Sequence, residues 1–146
     1  MATKLTLKDG QEAMIAHAMA KGEEIRRRYG PEITSEVLPK ILRDETCTRY
    51  STCLVFDAAG IPEGTFGAAR PVKNNPGEGY QLFIHPCFQD RPEVLPALTL
   101  YHLVTVNYGD FATAETAEAF AAAALGMERE EYYTFVCRLA DEVLRE

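Results

Sequence analysis

At 146 residues, 47% of them hydrophobic and 25% charged, the chain has the composition of an ordinary soluble globule and enough length to bury a core without disulfide staples. Its 22 acidic residues outnumber 15 basic ones, for a formal charge of −7, the wrong sign for a polyanion partner, so a nucleic-acid-binding role is set aside. No stretch approaches the roughly 20 consecutive apolar residues that span a bilayer, and the opening MATKLTLKDGQ has no apolar run ahead of a small-residue cleavage site. One domain over residues 1–146, in the cytoplasm and away from membranes, is the expectation.

From Leu7 to Tyr29, the apolar positions Met14, Ala18, Ile25 and Tyr29 recur at multiples of a helical turn, which predicts a long first helix. Thr6 is its N-cap candidate. Gly30-Pro31 is its stop, because glycine accepts the left-handed cap and proline cannot continue the hydrogen-bond ladder. The basic run Arg26-Arg27-Arg28 follows Glu23-Glu24 and reads as a solvated face with intrahelical ion pairs. Residues 32–45 carry Ile33, Val37, Ile41 and Leu42 at helical spacing around Pro39, which predicts short turns or a kinked helix.

Between Arg49 and His85 the period changes. TRYSTCLVFD, GTFGAARPV and YQLFIHP are separated by the turn-forming DAAG and KNNPGEG, which predicts three strands in an antiparallel meander. On the first strand apolar side chains fall on both faces, so helices are expected to cover both. The second has little side-chain bulk, with Gly64, Gly67, Ala68 and Ala69. Either a helix or a ligand must approach it closely.

Asp90-Arg91-Pro92-Glu93 is a helix-start signal ahead of VLPALTLYHLVTVNYG, with Asp90 as N-cap candidate and Pro96 moving the regular helix toward Leu95. That segment is apolar nearly all round, as a central helix would be. The tail then reads as a close-packed helical hairpin: TAETAEAFAAAALG hinged at Gly126 to MEREEYYTFVCRLADEVLRE. Glu128, Glu130 and Glu131 suit a helix N-terminus and would face phosphates with the wrong sign, so a helix-turn-helix DNA reader is rejected. The predicted fold is α+β, in the order ααβββααα.

Chemistry is sparse. Cys47, Cys53, His85 and Cys87 are the residue types that zinc or an iron–sulfur centre requires, though no C-x-x-C pair is present; no cofactor is predicted. His85 and Cys87, two apart on an extended strand, would also suit a reactive thiol beside a base. A small-molecule enzyme would use a pocket over the strand at 64–69, with Gly67, Arg70, Tyr80 and His102. His102 lacks the glutamate and second histidine of a zinc-hydrolase helix. His17, Lys21 and Arg28 are an alternative anion site on the first helix. Phosphate loops and nucleophile elbows are absent from the sequence. The balance favours a non-enzymatic module that binds a protein partner or itself, with Tyr132 and Tyr133 as its exposed aromatics.

Overall fold

The computed structural model describes residues 7–145, so the expected cap at Thr6 lies outside the described residues. Helix α1 (Leu7–Tyr29) spans the predicted range. It ends where Gly30 still donates its N–H to the Arg26 carbonyl at 2.7 Å and Pro31 has no N–H to offer. The next segment holds a single short helix, α2 (Leu38–Ile41). Pro39 sits in its first turn, where a backbone amide has no intrahelical acceptor and its loss is harmless.

Three strands follow, β1 (Thr52–Phe56), β2 (Gly67–Pro71) and β3 (Tyr80–Ile84). Their spatial order is β1-β3-β2. β2 and β3 are antiparallel, but β1 pairs with β3 in parallel, Leu54 beside Leu82 and Phe56 beside Ile84. The predicted antiparallel meander is therefore corrected to a mixed sheet. Residues 57–66 carry the chain past the central position to the far edge, and β2 returns as a hairpin. Bulk explains the choice: Leu82 and Ile84 have no exposure and take the centre, whereas the low Gly67-Ala68-Ala69 strand serves as an edge.

The register sends Leu54, Phe56, Leu82, Ile84, Gly67 and Ala69 to one face. Helix α3 (Leu95–Tyr108) packs on that face across β2 and β3. The opposite face is covered only in part, around Phe83, by the turn Ala58–Gly60 rather than by the second helix that was expected. A Cβ on Gly60 would sit 2.5 Å from the Phe83 ring, and Arg70 Nε donates to the Gly60 carbonyl at 2.9 Å. α3 begins at Leu95 with no side-chain cap, so Asp90 is not its N-cap. Residues 91–94 form a turn, and Pro96 falls within the first helical turn. Nine residues of α3 are buried, which fits the all-round apolar sequence.

Helix α4 (Ala114–Leu125) is capped by Thr113 Oγ1, which accepts from Thr116 N at 3.1 Å, and is closed by Gly126 at φ 70°. Helix α5 (Arg129–Leu144) opens with a reciprocal capping box between Glu128 and Glu131. The alanines of α4 serve α1 more than α5, since α1 and α4 make the most extensive contact between elements. At their crossing, Gly22 lies against the Phe120 carbonyl and its missing Cβ would be 3.0 Å from Ala123 Cβ. The layers run sheet, α3, α4, α1, with α5 against α4 and α3.

This contact predicts a contrast between two glycines of one helix. Gly22→Ala should cost about 1–3 kcal/mol, because the added methyl must push two backbones apart. At Gly10 a Cβ meets nothing within 4 Å, so Gly10→Ala should leave stability unchanged or raise it by up to about 1 kcal/mol. Urea midpoints of the two variants measure the difference.

Candidate functional site

The thiols and imidazole do not converge. Cys47 is buried in the loop after α2, Cys53 is exposed on the sheet face away from α3, and none of the four cysteines is in a disulfide. β3 ends at Ile84, so His85 and Cys87 do not sit on one extended strand. The His85 Nδ1 instead accepts the Cys87 backbone N–H at 3.2 Å, capping the turn Pro86–Phe88. Among the described residues, no group of three His, Cys, Asp or Glu is arranged to hold a metal ion. Burial pushes the Cys47 thiol up to about 11, so it is protonated at neutral pH and poorly suited to act as nucleophile or ligand.

Cys47 belongs to a polar clamp that sequence reading missed. Tyr29 donates its hydroxyl to Asp44 Oδ2 at 2.6 Å, and Thr46 donates both its N–H, at 2.9 Å, and its hydroxyl, at 2.7 Å, to Oδ1. Arg28 lies 3.7 Å from the same carboxylate. The Tyr29 hydroxyl, then Thr46, hold the Asp44 carboxyl well below the usual range, and the same bond pushes Tyr29 up to about 12. Asn107 completes the clamp, accepting from Arg49 N at 2.8 Å and donating to the Cys47 carbonyl at 3.0 Å. These groups fasten the 42–50 loop to α1 and α3. Asp44 followed by Thr46 was the available signal, an Asx-type turn.

The four residues proposed to line a pocket are divided between places. Gly67 and Tyr80 share the α3 face but pair with Ile84 and Pro71 respectively, at opposite ends of the sheet and about 13 Å apart along the strands. Arg70 is on the other face. The space over Gly67 is filled by α3: a Cβ there would be 2.9 Å from His102 Nε2 and Cδ2. The close approach to β2 is thus made by a helix. Tyr80 stacks on Tyr50 with ring centroids 5.5 Å apart. The His17–Lys21–Arg28 trio is likewise dispersed: His17 Nδ1 is 2.8 Å from the Tyr108 hydroxyl, Lys21 is 4.0 Å from Glu24, and Arg28 faces Asp44.

The tyrosine pair splits. Tyr132 is not a surface residue: it has no exposure and donates its hydroxyl to the Ala97 carbonyl at 2.7 Å, sharing the inner seam of α5 with Val136, Leu139 and Val143. Tyr133 is 53% exposed. One residue round the helix from that inner seam, Tyr133, Cys137, Ala140 and Leu144 repeat the same spacing of four, three and four, a period that keeps all four on one stripe. Leu144 is 67% exposed and Cys137 is exposed, whereas Ala140 is half-buried. Sequence reading missed this second stripe because cysteine and alanine are weak apolar signals. On the far side of α5 from this stripe, Arg91 Nη1 lies 2.5 Å from Glu142 Oε2.

His102 is a buried group with a desolvated ring nitrogen. The residue keeps slight exposure, but its Nε2 is sealed without a hydrogen-bond partner, as is Thr99 Oγ1. Phe66 and Tyr101 pack edge-on against its ring, at 5.0 and 5.2 Å. Burial lowers its pKa to about 4. The unfolded chain takes up this proton near pH 6.5 while the folded one resists it, so stability present at neutral pH is lost as pH falls from about 6.5 to about 4. At roughly 1.4 kcal/mol per pKa unit the loss is about 3 kcal/mol. His102→Leu should remove that component, which thermal melts of both proteins between pH 7 and 4 would reveal as a flatter curve for the variant.

Nothing among protein-family models, curated proteins or solved structures matches this chain.

Proposed function

We propose that the chain is a non-enzymatic cytoplasmic module that works by association, in the simplest case with a second copy of itself, through the outer face of α5. The observation that supports this reading is the second apolar stripe on that helix, Tyr133, Cys137, Ala140 and Leu144, with two large side chains in solvent. Exposing them costs apolar hydration that a partner would remove. The stripe belongs to a helix with a firmly packed inner face, so it is presented in a fixed geometry with little ordering cost on binding.

A two-fold axis passing beside Cys137 and Ala140 would lay Tyr133 of each copy on Leu144 of the other, an isologous contact in which one patch serves both sides. Leu144 also abuts the loop before β2, its Cδ2 lying 3.4 Å from where a Cβ on Gly64 would be. This loop would widen the contact beyond a single helix. Such an interface stays at the small end of the known range, so association in the micromolar range is expected.

Light scattering coupled to size exclusion should give a mass that rises with protein concentration toward a dimer. Tyr133→Glu and Leu144→Glu, each placing a charge in the stripe, should hold the protein at monomer mass while leaving its melting temperature within a few degrees, as surface substitutions do. A wild-type mass fixed at 16.3 kDa up to about 0.5 mM, well above the micromolar range of a small interface, would count against self-association.

A further inference from the structure

On the side of α4 that borders α1 and the start of α5, two clefts of 760 and 630 Å³ adjoin, with Pro31 and Met127 common to the walls of both. The first has a floor of small residues, Ala119, Ala122, Ala123 and Gly126. Those side chains stop at a methyl group or less, which leaves this space beside the α1–α4 seam unfilled. Arg26 and Arg27 of α1 stand on one wall, and Arg129 at the start of α5 also lines it. Among the described residues, Arg26 and Arg27 enter no ion pair, and Arg129 reaches Glu118 only at 4.0 Å. Arg26 is fixed in place by Gly126, whose absent Cβ would lie 2.6 to 2.8 Å from the guanidinium atoms. The second cleft is apolar on its floor, with Pro96, Ala97, Leu125 and Phe135, and carries Glu32, Glu36 and Glu93 at its margins.

We propose that this double cleft binds a free single-chain amphiphile with one anionic head, its carboxylate between the arginines and its alkyl tail running past Met127 onto Leu125 and Phe135. Three guanidinium groups round one cleft repel one another, even with Glu23 and Glu128 nearby, and an anion between them turns that repulsion into charge-assisted hydrogen bonds. Arginine suits the planar, bidentate geometry of a carboxylate. The bland account of Arg26 and Arg27 is that they complement the helix dipole at the end of α1. It leaves unexplained why Arg129 joins them across a cleft in a protein of charge −7. The acidic margin of the second cleft repels a second anionic group, so the charge pattern sets the ligand's direction: head at α1, neutral tail toward α3. Each cleft taken alone falls within the size range of small-molecule sites. This site does not involve the outer stripe of α5 and stands or falls separately from self-association.

The test is titration calorimetry with dodecanoate kept below its micelle concentration. Dodecanoate should bind one to one. Butanoate, which keeps the head and loses the tail, should bind at least about tenfold more weakly, and dodecyltrimethylammonium, with the tail and the opposite charge, should not compete. Arg27→Glu, at an exposed residue, should weaken dodecanoate by about tenfold or more. Phe135→Ala, which removes an apolar wall from the tail's cleft, should do so without altering the head-group charges. Either variant keeps the test decisive if the other fails to fold. The proposal is overturned by the absence of dodecanoate binding at about 1 mM, by binding that the folded variants leave intact, by equal binding of the cationic amphiphile, or by binding confined to phosphatidylglycerol vesicles.

Discussion

The approach of α1 to α4 is the constraint on which the rest of the molecule depends. With Gly22 against the Phe120 carbonyl and Ala18 and Ile25 buried on the same face of α1, the two helices meet backbone to backbone, and the dispersion energy of many short contacts replaces the larger side chains of a usual helix pair. That closeness positions everything on either side. It sets α4 as a thin, alanine-faced middle layer, with Phe120, Ala121 and Ala124 sealed. It brings the end of α1 beside Gly126, and it leaves α3 to meet the sheet on the other side. The clefts near Arg26 arise from the same cause, because a helix that offers only methyl groups to its neighbours also leaves unfilled space beside the seam.

Periodicity made the helices legible and, within each strand, the faces. The range of α1, the broken segment around Pro39, the start of α3 near Leu95 and the hinge at Gly126 all follow from local rules about caps, prolines and turns of 3.6 residues. Neighbour relations between strands do not follow from them. Alternation along TCLVF says that Leu54 and Phe56 share a side, but not whether the next strand in sequence is also the next in space. The deciding facts are non-local. Leu82 and Ile84 need cover on the α3 face and partners on both edges, and the length of the 57–66 connection permits the chain to pass over the centre and return. Antiparallel pairing of sequential strands is the common outcome, and here it holds for β2 and β3 alone.

The candidate chemistry was legible as residue types and illegible as geometry. His85 and Cys87 were two apart, a spacing meaningful only if the strand continued, and Pro86 ended it one residue too soon. Tyr132 and Tyr133 looked equivalent in sequence, but consecutive residues on a helix are 100° apart, so one became core and the other surface. The Asp44 clamp shows the reverse case. Its members come from α1, the 42–50 loop and α3, and only Asp44 with Thr46 was close enough in sequence to be read locally.

The polar interior divides into groups that are satisfied and two that are not, His102 Nε2 and Thr99 Oγ1, and the difference separates architecture from reserve. Tyr29 and Asn107 use their hydrogen bonds to hold a loop, and the Tyr132 hydroxyl pins α5 to α3; in each case burial is matched by a partner, as interiors require. His102 is different. A leucine would fill its place between Gly67 and Phe66 without a sealed nitrogen, so the imidazole is retained against a desolvation cost that falls on the α3–β2 contact. Because the ring lies directly against Gly67, the cost of protonating it falls on the contact between α3 and the edge strand. The α3–β2 contact is therefore one place where acid acts on the fold, and the Asp44 clamp, whose carboxyl is held low by Tyr29 and Thr46, is a second that gives way only at lower pH.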